Sequence, residues 1–417
     1  MTYLLVFMYL FAFKIYSIFD SALLVGAILF GIYCFKEEFR KKVNKDLLNK
    51  YSIRVFICFG IIAAISALMT LINGTFDFTY IKTLLHLAIA IFIGYVLIIY
   101  FWYRGKKSEI VNHIIVAFIV QSFLQWFFFL FPTISQFFNF LRSESMVKYN
   151  IIYSGYRGLA ITTSGFFSLS SAYGLVFLLF FSKYNTLFKN VIVKYFVFLL
   201  LLSGTFFAGR TGFVALAFLP FMWIRKGGLI ILKQRKKQVI QILLCTFILI
   251  AAVFASSKIE KFGHMYNYAF ELFENIFKGN GLKTTSTDKL LDMFDVDMSA
   301  KTFFVGDGKY TEIINGQESY YKKTDVGYFR KILYFGIFGL IASIVLQLLF
   351  FGKLKKDKEL ILVLIYLFVL ELKGEIVGFN IMINSIIILY SSFNNAPEYN
   401  LLEGENVAVN NCVDDNI

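Results

Sequence analysis

Apolar runs of about 18 or more residues recur along the whole chain, the length a helix needs to cross a hydrocarbon core about 30 Å thick. Lipid offers no partner for backbone N–H and C=O groups, so only helices or closed barrels can span it. The runs are continuous rather than alternating, which selects helices over barrel strands. A chain that is 58% hydrophobic with three prolines in 417 residues cannot hide its apolar surface in water. The sequence therefore reads as an all-α polytopic membrane protein. Residues 1–393 form a single transmembrane domain, and the polar, asparagine-rich tail at 394–417 is expected to be disordered and cytoplasmic.

Twelve spans are expected, at about 2–19, 21–35, 52–72, 82–103, 111–131, 163–182, 191–207, 211–224, 239–257, 328–351, 359–372 and 376–393. The net charge of +14 would suit a nucleic-acid partner, but its distribution argues against one. The basic residues cluster in short connections at 36–50, 104–107, 225–237 and 353–358, where orientation signals belong. All four fall on the cytoplasmic side if both termini are cytoplasmic and the span count is twelve. Two sizeable segments then face outward, 132–162 and 258–327, together with a tight turn at 208–211. An outer loop of about 70 residues implies function. Within it Phe262, Tyr266, Phe270, Phe273 and Phe277 recur at helical spacing, with Glu271 and Glu274 off the stripe. That helix packs on the rest of the loop or lies in the membrane interface.

Several features carry little chemistry. Cys34, Cys58, Cys245 and Cys412 form no disulfide or metal spacing. The first apolar stretch lacks an A-x-A cleavage signal and is expected to be a retained helix. His86 and His113 lie within spans, where a lone histidine usually bonds a neighbouring helix. Asp292, Asp295 and Asp297 lack the spacing of a calcium loop, so no metal or other cofactor is expected.

The chemistry concentrates in cations at span ends. Arg210 stands in "SGTFFAGRTGFVAL" between Gly209, Thr211 and Gly212. The apolar run 191–224 is too long for one crossing and suits a hairpin, which puts Arg210 at an outer tip rather than in mid-bilayer. It is then a snorkelling anchor or a binding group whose small neighbours admit a large anion. Arg157 precedes span six. Asp325, Arg330 and Lys331 open span ten, and Glu371, Lys373 and Glu375 occupy the turn between the last two spans. Arginine forks match phosphate oxygens bidentately, so the set suggests an anionic lipid headgroup such as a diphosphate.

Three segments carry a family resemblance. "LLLSGTFFAGRTGFVALAFLP" resembles the hairpin of O-antigen and capsular polysaccharide polymerases of the Wzy type. "FFVGDGKY … TDVGYFRKILYFGIFGLI" looks like the family's glycine-acid turn, D-x-G-Y segment and glycine-rich helix. "YRGLAITTSGFFSLSSAYG" resembles its R-x-x-G segment. The resemblance covers about residues 150–395, and Gly209 departs from it, since members often carry serine or another polar residue there.

The resemblance implies a glycosyltransferase at the outer face of the bacterial inner membrane. It would join undecaprenyl-diphosphate-linked oligosaccharide repeat units and release undecaprenyl diphosphate. The resemblance further implies a chain-length regulator and a flippase as partners, besides membrane lipids. Arg157 and Arg210 are expected to hold the diphosphate, with Arg330 or Lys373 assisting. Asp325, Glu375 and His264 are the candidate bases. Asp325 also reads as a helix N-cap, Arg330 as an interface anchor, and Asp307 in "GDGKY" as a turn residue. Two rival readings remain: an O-antigen ligase acting on lipid A core, and a twelve-span transporter or lipid-linked glycan flippase.

Overall fold

A computed structural model describes residues 1–16, 19–47, 49–153, 157–188, 190–225, 271, 275, 278–279, 285–314, 317–352 and 358–395. Helices dominate it. Lys50–Ile72, Thr79–Tyr103, Lys107–Leu130, Val191–Ala208 and Gly327–Phe351 are long and apolar enough to cross a membrane. Shorter apolar helices include Thr2–Phe11, Ser21–Phe35, Phe166–Phe180 and Ile381–Asn395. This is the architecture of an all-α membrane protein. The expected span at 239–257, all five residues of the aromatic stripe at 262–277, His264 and the tail from 396 onward lie outside the described residues.

Packing is built on a few helix pairs. Gly327–Phe351 runs along Lys50–Ile72, and Ile381–Asn395 along Thr79–Tyr103. Phe166–Phe180 is buried along almost its whole length between Val191–Ala208 and the segment that follows residue 209. His113 acts as the helix-to-helix partner its setting predicts. Its ring nitrogens meet the Glu109 carbonyl at 2.7 Å and the Thr2 hydroxyl at 2.9 Å.

Two segments differ from expectation. The first span ends at Phe11, where Ala12 turns left-handed at φ 44°. An antiparallel ribbon follows, Lys14–Ile15 with Phe19–Asp20. Polar chemistry explains the break: Lys14 lies 3.6 Å from the Asp20 carboxylate, and Asp20 accepts the Ala22 amide to cap the next helix. The basic connection after that helix is itself helical, Glu37–Leu47, with Phe39 and Val43 buried and its charges outward.

The described end of the long outer loop is also more ordered in kind than a helix alone. It contains a short helix, Ala300–Phe304, and a hairpin, Thr311–Ile314 with Gln317–Tyr320. The loop docks on a break in the Gly327–Phe351 helix, where Phe335 (φ −136°) and Gly336 (φ 68°) leave helical geometry. The break frees carbonyls, and the glycine-acid turn supplies donors. The Asp307 amide donates to Leu333 at 2.7 Å and the Gly308 amide to Tyr334 at 2.9 Å. Contact is backbone to backbone: a Cβ on Gly336 would stand 2.2 Å from the Phe304 carbonyl oxygen. The Asp307 carboxylate accepts from Thr302 (2.9 Å) and Tyr321 (3.2 Å), so this acid is engaged within the turn.

Candidate functional site

The helix Val191–Ala208 ends at Gly209, whose φ of 152° belongs to glycine. A 3-10 stretch, Arg210–Phe218, follows. The α-helix breaks here. Thr205 and Gly212, equally spaced about the turn, touch so closely that a Cβ on Gly212 would lie 2.8 Å from the Thr205 methyl. Ser170 pins the turn from the neighbouring helix: its hydroxyl donates to the Gly209 carbonyl at 2.5 Å and accepts the Gly212 amide at 2.8 Å. Arg210 leaves this turn to meet Glu271 of the long loop at 2.8 Å.

Arg157 reaches the same turn from another segment. Its guanidinium donates to the Ala208 carbonyl at 2.8 Å and lies 3.9 Å from the centre of the Phe166 ring. The irregular segment that carries it is held by side chains, because buried carbonyls need donors. Gln125 donates to Gly158 (3.0 Å), Gln121 to Leu159 (2.6 Å) and Arg142 to Ala160 (2.7 Å).

The third and fourth contributions come from the start of the kinked helix and the turn after Lys358–Glu371. Two neighbouring residues on the kinked helix pair with two acids, one ending Lys358–Glu371 and one in the turn after it. Lys331 binds Glu371 with both side chains fully buried, and Arg330 binds Glu375 at 3.3 Å. Glu371 also accepts the amides of Ile376 and Val377, each at 2.7 Å, which shapes the turn bearing Lys373 and Glu375. Gly327 makes this approach possible, since a Cβ there would lie 2.3 Å from a Glu371 oxygen. Arg330 is clasped between the rings of Tyr310 (4.1 Å) and Tyr320 (3.6 Å). The Tyr310 hydroxyl donates to Glu375.

Electrostatics ties the groups into one neighbourhood. Burial lowers the Lys373 ammonium below its ordinary value, and the nearby charges of Arg210 and Arg157 add to the fall. Burial raises the Asp325 carboxyl against the pull of Arg330, with Glu375 adding to the rise. Burial and Glu375 together keep the Tyr310 hydroxyl protonated, as a donor must be. Asp325 makes no side-chain cap to the helix behind it; Val326 holds the cap position without one.

Six of the seven singled-out residues thus converge: Arg157, Arg210, Asp325, Arg330, Lys373 and Glu375. The seventh, His264, lies outside the described residues. Sequence reasoning did not find Tyr310, Ser170 or the glutamines. Tyr310 had one faint signal, its place directly after the glycine-acid turn; a serine or glutamine on an apolar helix carries none. No family model, curated protein or solved structure matches the chain.

Proposed function

We propose that this protein is a polysaccharide polymerase of the O-antigen or capsule type. It joins undecaprenyl-diphosphate-linked oligosaccharide repeat units at the outer face of a bacterial inner membrane, with twelve spans and both termini cytoplasmic. The observation that carries the reading is the convergence of Arg157, Arg210 and Lys373 beside Asp325, from segments far apart in sequence. A diphosphate carries several charged oxygens and can engage arginine and lysine side chains gathered from different segments at once.

The reaction assigns each group a task. The acceptor hydroxyl oxygen attacks the anomeric carbon of the donor sugar. The bond from that carbon to the diphosphate oxygen breaks, and its electron pair leaves with the diphosphate. Arg157, Arg210 and Lys373 stabilise the charge that develops there. Asp325 takes the acceptor proton, since its carboxyl is raised and makes no hydrogen bond among the described residues. Glu375 suits that task less, because Arg330 and Tyr310 already engage one of its oxygens.

The test is reconstitution. Purified protein in nanodiscs is given polyprenyl-diphosphate-linked repeat units. A ladder of longer glycans with free polyprenyl diphosphate is expected. Transfer to added lipid A core without a ladder would establish the ligase reading instead, and no transfer in a preparation shown to be folded would sink both.

A further inference from the structure

The two ion pairs between the kinked helix and the 371–377 segment differ in one respect. In the Lys331–Glu371 pair both carboxylate oxygens are used, one by Lys331 and the other by two amides. In the Arg330–Glu375 pair, one residue along the same helix, Arg330 Nε and Nη2 and Glu375 Oε1 are buried without a partner among the described residues. Each side chain is at most 7 % exposed. Buried polar atoms are almost always satisfied, and three orphans on one pair mark a place where a ligand completes the bonding. The turn itself can satisfy a buried carboxylate, as its amides do for Glu371, so the unmatched oxygen of Glu375 is not forced by its backbone.

The orphan set has a definite chemistry. It presents two N–H donors and one carboxylate acceptor side by side. A phosphate oxygen would meet the donors but be repelled by Glu375. A sugar hydroxyl both donates and accepts, and matches both. We propose that Arg330 and Glu375 form the hydroxyl-binding subsite for the acceptor sugar, with Tyr310 as the positioning residue that fixes Glu375. The inference rests on the polymerase reading and moves Arg330 from the diphosphate to the acceptor. Tyr320, 43 % exposed and lying over the guanidinium, is the side chain a sugar would displace or stack upon.

Full-length protein in nanodiscs is titrated with two separate probes: inorganic pyrophosphate, and the free oligosaccharide repeat unit released from surface glycan by mild acid. Glu375→Gln should weaken oligosaccharide binding by roughly tenfold and leave pyrophosphate binding near wild type, which also shows that the variant is folded. Arg210→Ala should do the reverse. Tyr310→Phe should raise the acceptor KM with kcat little changed. The subsite is refuted by wild-type protein that binds no free oligosaccharide, by unaltered oligosaccharide affinity in Glu375→Gln, or by parallel loss of pyrophosphate binding in Arg330→Lys. The two ideas fail separately. Ligand binding that divides between the probes without chain growth removes the polymerase reading alone. Chain growth with an unchanged acceptor KM in Glu375→Gln removes the subsite alone.

Discussion

Arg210 and Asp325 show what a side chain's surroundings do to its chemistry. Arg210 is accessible at 22 % and sits on a glycine turn, so truncation should leave the fold intact. Arg210→Ala is expected to lower turnover by about 10²–10³, abolishing long glycans at normal protein level; wild-type chain length would remove it from the mechanism. On the proposed mechanism, Asp325 and Lys373 set the pH window. Asp325 acts deprotonated and its carboxyl is raised, so activity should fail on acidification at a pH above the usual carboxylate value of about 4. Lys373 acts protonated and is depressed, so the alkaline limb should begin below the ordinary lysine range. Asp325→Asn should erase the acidic limb of the pH–rate profile. Glu371 contrasts with both. Glu371→Gln strands Lys331 without a counter-charge in a fully buried site and should cost about 3–5 kcal/mol, read as a lower melting temperature in detergent.

At the level of elements, the kinked helix and the glycine-acid turn form one unit. Gly336→Ala puts a side chain at φ 68° and against the Phe304 carbonyl. The positive φ alone costs roughly 1–2 kcal/mol, and the clash adds to it. Protease sensitivity of the 300–326 segment should rise in that variant; unchanged protection would mean that the docking does not depend on the break. The motif was legible in the sequence as spaced glycines, but its cause was not. Hydropathy reports where a helix is greasy, whereas the break depends on which amides face its freed carbonyls. The charged turn was legible for a similar reason and to a similar limit. Lys331 and Arg330 look equivalent on paper, and only packing makes one a dry structural tie and the other an open pair. The first span misread at 2–19 has the same origin, because an ion pair across a ribbon leaves no trace in an apolar average.

For the whole molecule, the helical membrane class follows from run length alone, while the number and direction of crossings rest on charge. Reporter fusions should place residue 290 outside and residue 230 inside, and the opposite result would invert the proposed topology. Loss of the gene should leave surface glycan of single repeats; a surface lacking any repeat would favour the flippase. Among the described residues, Arg157, Arg210, Arg330 and Lys373 come together from the ends of elements rather than from mid-span.

The pairing of Arg210 with Glu271 gives that meeting place a threshold. A carboxylate tethered on the protein's own loop already occupies the arginine, as a resident counter-ion occupies an exchange resin. Chloride or a monoanionic headgroup gains little by displacing it. An anion of higher valence, able to engage several cations together, exchanges it readily. Selection by valence would then keep abundant membrane anions out while admitting a diphosphate. Glu271→Gln should surrender that discrimination, tightening monovalent anions more than pyrophosphate.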